Sequence, residues 1–367
     1  MFARLAATDV CIAWCLLFSE RAPSASHQRI RTNPKLRRND VDVIGHHFLL
    51  GINDMIGILS RPLRTTLWAA SAVALATSST VAAKNWGGWS SPASIETIVG
   101  SSTQLNTAAV DGCASLSPDG LELYFASNRG GGLGAVDIWV ALRSNTEQGF
   151  GDPQNLGAPI NSSAAEFCPT IRPGKRLYFS STRAGAGDIF VSRLTKDGWS
   201  QPTNLGSNIN SAAAVDESPS FYEDEDGREV MVFSSRRNGR GQIFESVDGA
   251  PAQLVAGGVN TVDNSDQRPS VSKDGLEIFW DSTRFGTLGN SDLWTATRSS
   301  TSQPWDTAVH LQSLSSAGPP GAGFTLGYDA RPFLSRDGST LLLGSVRPSG
   351  EGIADIYFAT RTKLTGN

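Results

Sequence analysis

Apolar residues in this chain come in short bursts, such as Leu123–Phe125 and Leu177–Phe179, each entered through a tight turn. Bursts of that length, bounded by turn residues, predict β-strands. The bursts belong to a unit that recurs five times. The copies read SLSPDGLELYFASNR with DIWVALR, TIRPGKRLYFSSTR with DIFVSRL, SFYEDEDGREVMVFSSRR with QIFESVD, SVSKDGLEIFWDSTR with DLWTATR, and FLSRDGSTLLLGSVR with DIYFATR. An acidic residue precedes each copy, at Asp111, Glu166, Asp216, Asp266 and Asp329, giving spacings of 55, 50, 50 and 63 residues. A period near 50 in a strand-rich chain predicts a β-propeller.

Each unit supplies four strands. Strand a follows the acid, and the Asp-Gly steps at 119–120, 274–275 and 337–338 turn it back into strand b. Strand c opens at Asp137, Asp188, Gln242, Asp292 and Asp355. Strand d is the W-x-x-P-x-x-L stretch, at Phe150 to Leu156, Trp199 to Leu205 and Trp305 to Leu311. The third copy is degenerate, with Asp248 in the aromatic place and Leu254 kept. No strand d fits after Arg361, whereas Trp89 to Ile95 carries the same spacing ahead of the first unit. The expectation is an all-β, five-bladed β-propeller of four-stranded antiparallel blades, its ring closed by the N-terminal strand pairing with the last blade. The alternative is an open array or a six-bladed ring with one unrecognised blade, for which residues 84 to 367 leave little sequence.

Composition agrees with this. Gly is 38 of 367 residues, which favours tight turns over long helices. Residues 55 to 83 have the anatomy of a secretory signal peptide: Arg61 and Arg64, then the apolar run Leu67 to Ala76, then Val81-Ala82-Ala83. A membrane anchor is the alternative, but the run is short for a span. Met55 stands where an initiator belongs, so residues 1 to 54 read as a mis-called or disordered extension. The propeller occupies 84 to 367, and a periplasmic or secreted location follows. Net charge is -4 overall and about -8 without residues 1 to 83, which speaks against a nucleic-acid partner. No stable membrane span is expected after signal cleavage, and a monomer is expected.

The pattern P-x-x-S-x-D-G-x-x-L-Y-F-x-S-x-R followed by D-I-W resembles the WD-like repeat of TolB-type periplasmic propellers. The resemblance covers about residues 86 to 365 and implies a periplasmic or secreted binding platform. The chain departs from TolB in lacking an N-terminal α/β domain and in having five units rather than six, so TolB's partners are not carried over.

Charge recurs with the unit. Beside the five acids, an Arg ends each strand b, at Arg129, Arg183, Arg237, Arg284 and Arg347, and Asp137, Asp188, Asp292 and Asp355 open strand c. All should gather at one face of the ring, nine acids against five arginines. One reading makes the arginines staples bridging the carboxylates of their own and the neighbouring blade. The other makes Asp111, Glu166, Asp216, Asp266 and Asp329 a channel mouth that holds a cation, weakly Ca²⁺, or a basic peptide. The turn Glu223–Gly227 is a second acidic stretch, a solvated turn or a Ca²⁺ loop. Cys113 and Cys168 share one place in adjacent units, as a disulfide or as two buried thiols. Trp139, Trp280 and Trp294 belong in the core.

No catalytic residues are assigned. His310 is the only histidine beyond residue 83 and sits on a strand d, which excludes a Ser-His-Asp order. The expected function is non-enzymatic: binding a protein, peptide or cell-envelope polymer. The alternative is a glycan-active five-bladed hydrolase. That chemistry needs two carboxylates from outside the repeat, and none stands out in the sequence.

Overall fold

A computed structural model describes residues 86–317, 328–348 and 350–364. The signal-like segment 55–83 and the extension 1–54 lie outside the described residues. Five antiparallel sheets follow one another in chain order. Blade one is β2 (Asp111–Leu116), β3 (Glu122–Ser127), β4 (Asp137–Leu142) and β5 (Gln154–Asn155). Blade two is β6 (Glu166–Arg172), β7 (Arg176–Ser181), β8 (Asp188–Thr195) and β10 (Thr203–Asn204), with β9 (Gly198–Trp199) on the end of β8. Blade three is β11 (Asp216–Glu223), β12 (Glu229–Ser235), β13 (Gln242–Val247) and β14 (Gln253–Leu254). Blade four is β15 (Asp266–Val271), β16 (Glu277–Ser282), β17 (Asp292–Thr297) and β18 (Val309–His310).

The last blade has three strands of its own, β19 (Asp329–Leu334), β20 (Thr340–Ser345) and β21 (Asp355–Thr360). Its fourth is β1 (Ala93–Ser94), where Ala93 pairs with Phe358 and Ser94 with Tyr357. Trp86 bridges Lys363 farther along the same edge. The ring therefore closes with the N-terminal strand, as the displaced W-x-x-P-x-x-I stretch predicts.

Alternation along strand b fastens each blade to both neighbours. In β3, Leu123 and Phe125 pack with Leu342 and Ile356 of blade five. Tyr124, one residue out of phase, packs with Ile171, Leu177 and Phe179 of blade two. Both faces are buried, so the strand reads as a nearly continuous apolar run. Burying one such side chain contributes about 1.5–3 kcal/mol. Trp139, Trp280 and Trp294 are in this core.

Every strand a carries a β-bulge. The register with strand b shifts between Gly112 and Ser115, Phe167 and Thr170, Glu217 and Ser220, Gln267 and Ser270, and Ala330 and Phe333. The bulged residue is left-handed each time: Cys113 at φ 52°, Cys168 at 49°, Ser218 at 58°, Arg268 at 52° and Arg331 at 56°. A bulge re-aims a side chain, and here all five line one small cavity at the ring centre. Cys113 and Cys168 meet there as a disulfide, with Cα atoms 4.8 Å apart, which decides between the two readings of these cysteines.

Candidate active site

The five repeat acids lie at the starts of β2, β6, β11, β15 and β19, and all are fully buried. Each accepts a charge-assisted contact from the arginine of its own blade: Arg129–Asp111 at 2.5 Å, Arg183–Glu166 at 3.1 Å, Arg237–Asp216 at 2.8 Å, Arg284–Asp266 at 2.5 Å and Arg347–Asp329 at 2.8 Å. A serine or threonine from the d-to-a loop covers most of them from the other side: Thr107 donates to Asp111, Ser162 to Glu166, Ser211 to Asp216 and Thr261 to Asp266. The five acids predicted to form a carboxylate mouth are thus buried, each against the arginine of its own blade.

The arginines do not bridge neighbouring carboxylates, as the staple reading expected. Their second contact is the carbonyl chain of the loop arriving from the preceding blade: Leu105 for Arg129, Ile160 for Arg183, Ile209 for Arg237, Val259 for Arg284 and Leu314 for Arg347. Aromatic rings from strands b and c hold the guanidinium flat, as Phe125 and Trp139 do for Arg129 and Trp280 and Trp294 for Arg284. An asparagine just before the loop's Ser or Thr completes the joint. Asn161 accepts from the amide of Ile138 and donates to its carbonyl, and Asn106, Asn210 and Asn260 do the same for Ile356, Ile189 and Ile243. This Asn-Ser/Thr pair was visible in the sequence and went unread.

The strand c acids are held by local donors. Asp137 accepts from the amide of Gly134 and from Asn155, Asp188 from Asn204, and Asp355 from the amide of Glu351. His310 takes the place of those asparagines in blade four, 2.8 Å from Asp292 and stacked on Trp294. In blade three, Gln242 accepts from Asn238. The turn Glu223–Gly227 is tied by Arg228, which reaches both Asp224 and Asp226. Among the described residues, no group of three or more His, Cys, Asp and Glu side chains is gathered to hold a metal ion.

What remains at the channel is not part of the repeat. Two acids among the buried polar residues, Glu217 and Asp281, have no counterpart in the other blades. Glu217 follows the repeat acid on β11, and Asp281 faces Gln267 across β15 and β16. Arg268 stands between them. Its Nε and Nη2 grip Asp281 at 2.9 and 2.6 Å, and its Nη1 lies 4.0 Å from Oε1 of Glu217. Neither of those last two buried atoms has a hydrogen-bond partner. The amide of Arg331 also donates to Asp281 at 3.0 Å. Arg268 and Arg331 line the central cavity, of about 40 Å³, opposite the disulfide. Burial opposes the charge of Arg268, but Asp281 foremost, then Tyr328 and Glu217, outweigh it and hold the guanidinium ionised. Sequence reading missed the pair because each acid looks like an ordinary substitution in its own unit.

No family model matches the chain, and no curated protein matches it. Solved structures do. An endo-arabinanase of glycoside hydrolase family 43 from Bacillus licheniformis is 12% identical, with a TM-score of 0.45, covering 73% of this chain and 97% of the other. An endo-1,4-β-xylanase from Bacteroides thetaiotaomicron is 13% identical, with a TM-score of 0.46, covering 71% and 97%. TolB from Acinetobacter baumannii is 16% identical, with a TM-score of 0.39, covering 65% of this chain and 53% of the other. The propeller resemblance stands, but it is not specific to TolB. The expectation that the chain is not an enzyme is corrected. It rested on the want of two carboxylates outside the repeat, and the buried pair Glu217 and Asp281 removes that ground. Among the described residues, no helix is long and apolar enough to cross a membrane.

Proposed function

We propose that the protein is an exported glycan hydrolase working through Glu217 and Asp281. The supporting observation is that these are the two buried acids outside the repeat among the described residues, and that one guanidinium, itself lining the central cavity, joins them. Hydrolysis of a glycosidic bond adds water across it. One carboxyl gives a proton to the leaving oxygen, and the other acts on the anomeric centre, directly or through the water. Asp281, gripped by Arg268 and the Arg331 amide, is the anchored member, suited to the anomeric side. Glu217, whose Oε1 lies 4.0 Å from Arg268 and has no hydrogen-bond partner, is the more loosely held member, suited to pass a proton to a sugar oxygen. Arg268 is a positioning residue. It lines the central cavity and contacts both acids, so a substrate coming from that cavity must displace it to reach them. The disulfide supports an oxidising, periplasmic or secreted setting.

Release of reducing ends from a panel of neutral and acidic polysaccharides tests the reading. Wild type should release them from at least one, and Glu217→Gln and Asp281→Asn should each lose about a hundred- to ten-thousand-fold. No release from any polymer, or full activity in both folded variants, would end it.

A further inference from the structure

The opposite face of the ring, where strands a turn into strands b, holds a larger cavity of about 170 Å³. That is room for about five or six water molecules. Three cations line it: Arg172 from blade two, Lys273 from blade four and Arg336 from blade five, with Phe221 and Phe333 among the apolar walls.

These charges break the repeat. The place that Lys273 and Arg336 occupy before Asp-Gly is Pro118 in blade one and Pro173 in blade two. A role in folding would be shared by every blade, as the arginine staples are. Lys273 and Arg336 are exposed, and neither makes an ion pair among the described residues. Arg172 is bound on one side only. Its Nη2 lies 2.9 Å from Glu229 and its guanidinium stacks on Phe221, while its buried Nη1 has no hydrogen-bond partner. Burial pulls this guanidinium below its ordinary value against the opposing pull of Glu229, so an added anion would relieve it. Glu223 is the acid on the rim.

We infer that this cavity binds the oxyanion of a small ligand, a carboxylate, phosphate or sulfate group, between Arg172, Lys273 and Arg336. An unmet buried donor beside two unpaired cations is the donor set such a group needs, and the aromatic walls suit the carbon frame that carries it. The site lies on the face away from Glu217 and Asp281 and does not depend on the hydrolase reading.

Titration calorimetry with inorganic phosphate, inorganic sulfate and glucuronate tests it, on wild type and on the double variant Lys273→Ala, Arg336→Ala. At least one ligand should bind wild type at one per chain, and its affinity should fall at least tenfold in the double variant. Both side chains are exposed, so the melting temperature should not change, which separates lost binding from lost fold. Binding of glucuronate alone identifies a carboxylate ligand, and binding of phosphate or sulfate identifies the corresponding ester. No heat from any of the three with wild type, or equal affinity in the folded double variant, overturns the inference.

Discussion

Arg284 places Nη2 2.5 Å from Oδ1 of Asp266 and the same nitrogen 2.5 Å from the carbonyl of Val259, which belongs to the loop arriving from blade three. One nitrogen therefore joins a carboxylate that begins blade four to the chain that ends blade three. Trp280 adds an indole N–H to the same Asp266 oxygen at 3.1 Å. The relationship recurs around the ring, so each joint between blades is polar at its edge and apolar in its middle.

Removing that arginine should be costly. In Arg284→Ala the fully buried Asp266 loses its cation, and an uncompensated buried charge costs about 3–5 kcal/mol. Arg228→Ala removes an exposed guanidinium from an acidic turn, where solvent screens the pair, and should change stability far less. Urea unfolding of the two variants checks the contrast; similar midpoints would mean the staples carry no special weight.

Asp329 should give stability a pH dependence of unusual sign. Burial raises its carboxyl to about 6, more than Arg347 and Ser345 pull it down. The folded state then holds the proton to a higher pH than the unfolded state. This group's contribution is fully present below about pH 4 and is lost as pH rises to about 6. The loss is about 3 kcal/mol. Comparing wild type with Asp329→Asn across pH 4 to 7 isolates it: the stability difference should move against wild type as pH rises. A constant difference would show an ordinary carboxyl.

The disulfide closes a loop of 55 residues between the innermost strands of adjacent blades. Loop-closure entropy makes such a bond worth about 4 kcal/mol. Cys113→Ser with Cys168→Ser should lower stability by about 2–5 kcal/mol while leaving the far side of the ring, at blades three and four, unchanged in hydrogen exchange. Loss of protection spread evenly over all five blades would point instead to a ring that opens as one unit.

Closure rests on few bonds. Strand β1 is two residues long, but it carries Ile95 into the core beside Phe125 and Ile356. Trp89 packs edge-on against Phe279, with ring centroids 5.9 Å apart. Deleting residues 86–97 should expose the edge of β21 and bring a large fall in melting temperature or loss of solubility. An unchanged melt would mean that the ring holds without its latch.

The architecture was legible because its causes are local and repeated. Asp-Gly turns, short apolar bursts recurring at a fixed period and a displaced strand d specify blade count and closure, because each of these signals is set within a single unit. The site was not legible for the opposite reason. Glu217 and Asp281 are 64 residues apart in the chain, in different units, and what joins them is Arg268, a residue that a bulge turns toward the channel. The same bulge aims Cys113 and Cys168 at each other. A repeated acid could be read from sequence as staple or as ligand-binding mouth, because both uses need the same residue at the same spacing. Burial and the position of one guanidinium distinguish them, and those exist only once five blades have closed around a common axis.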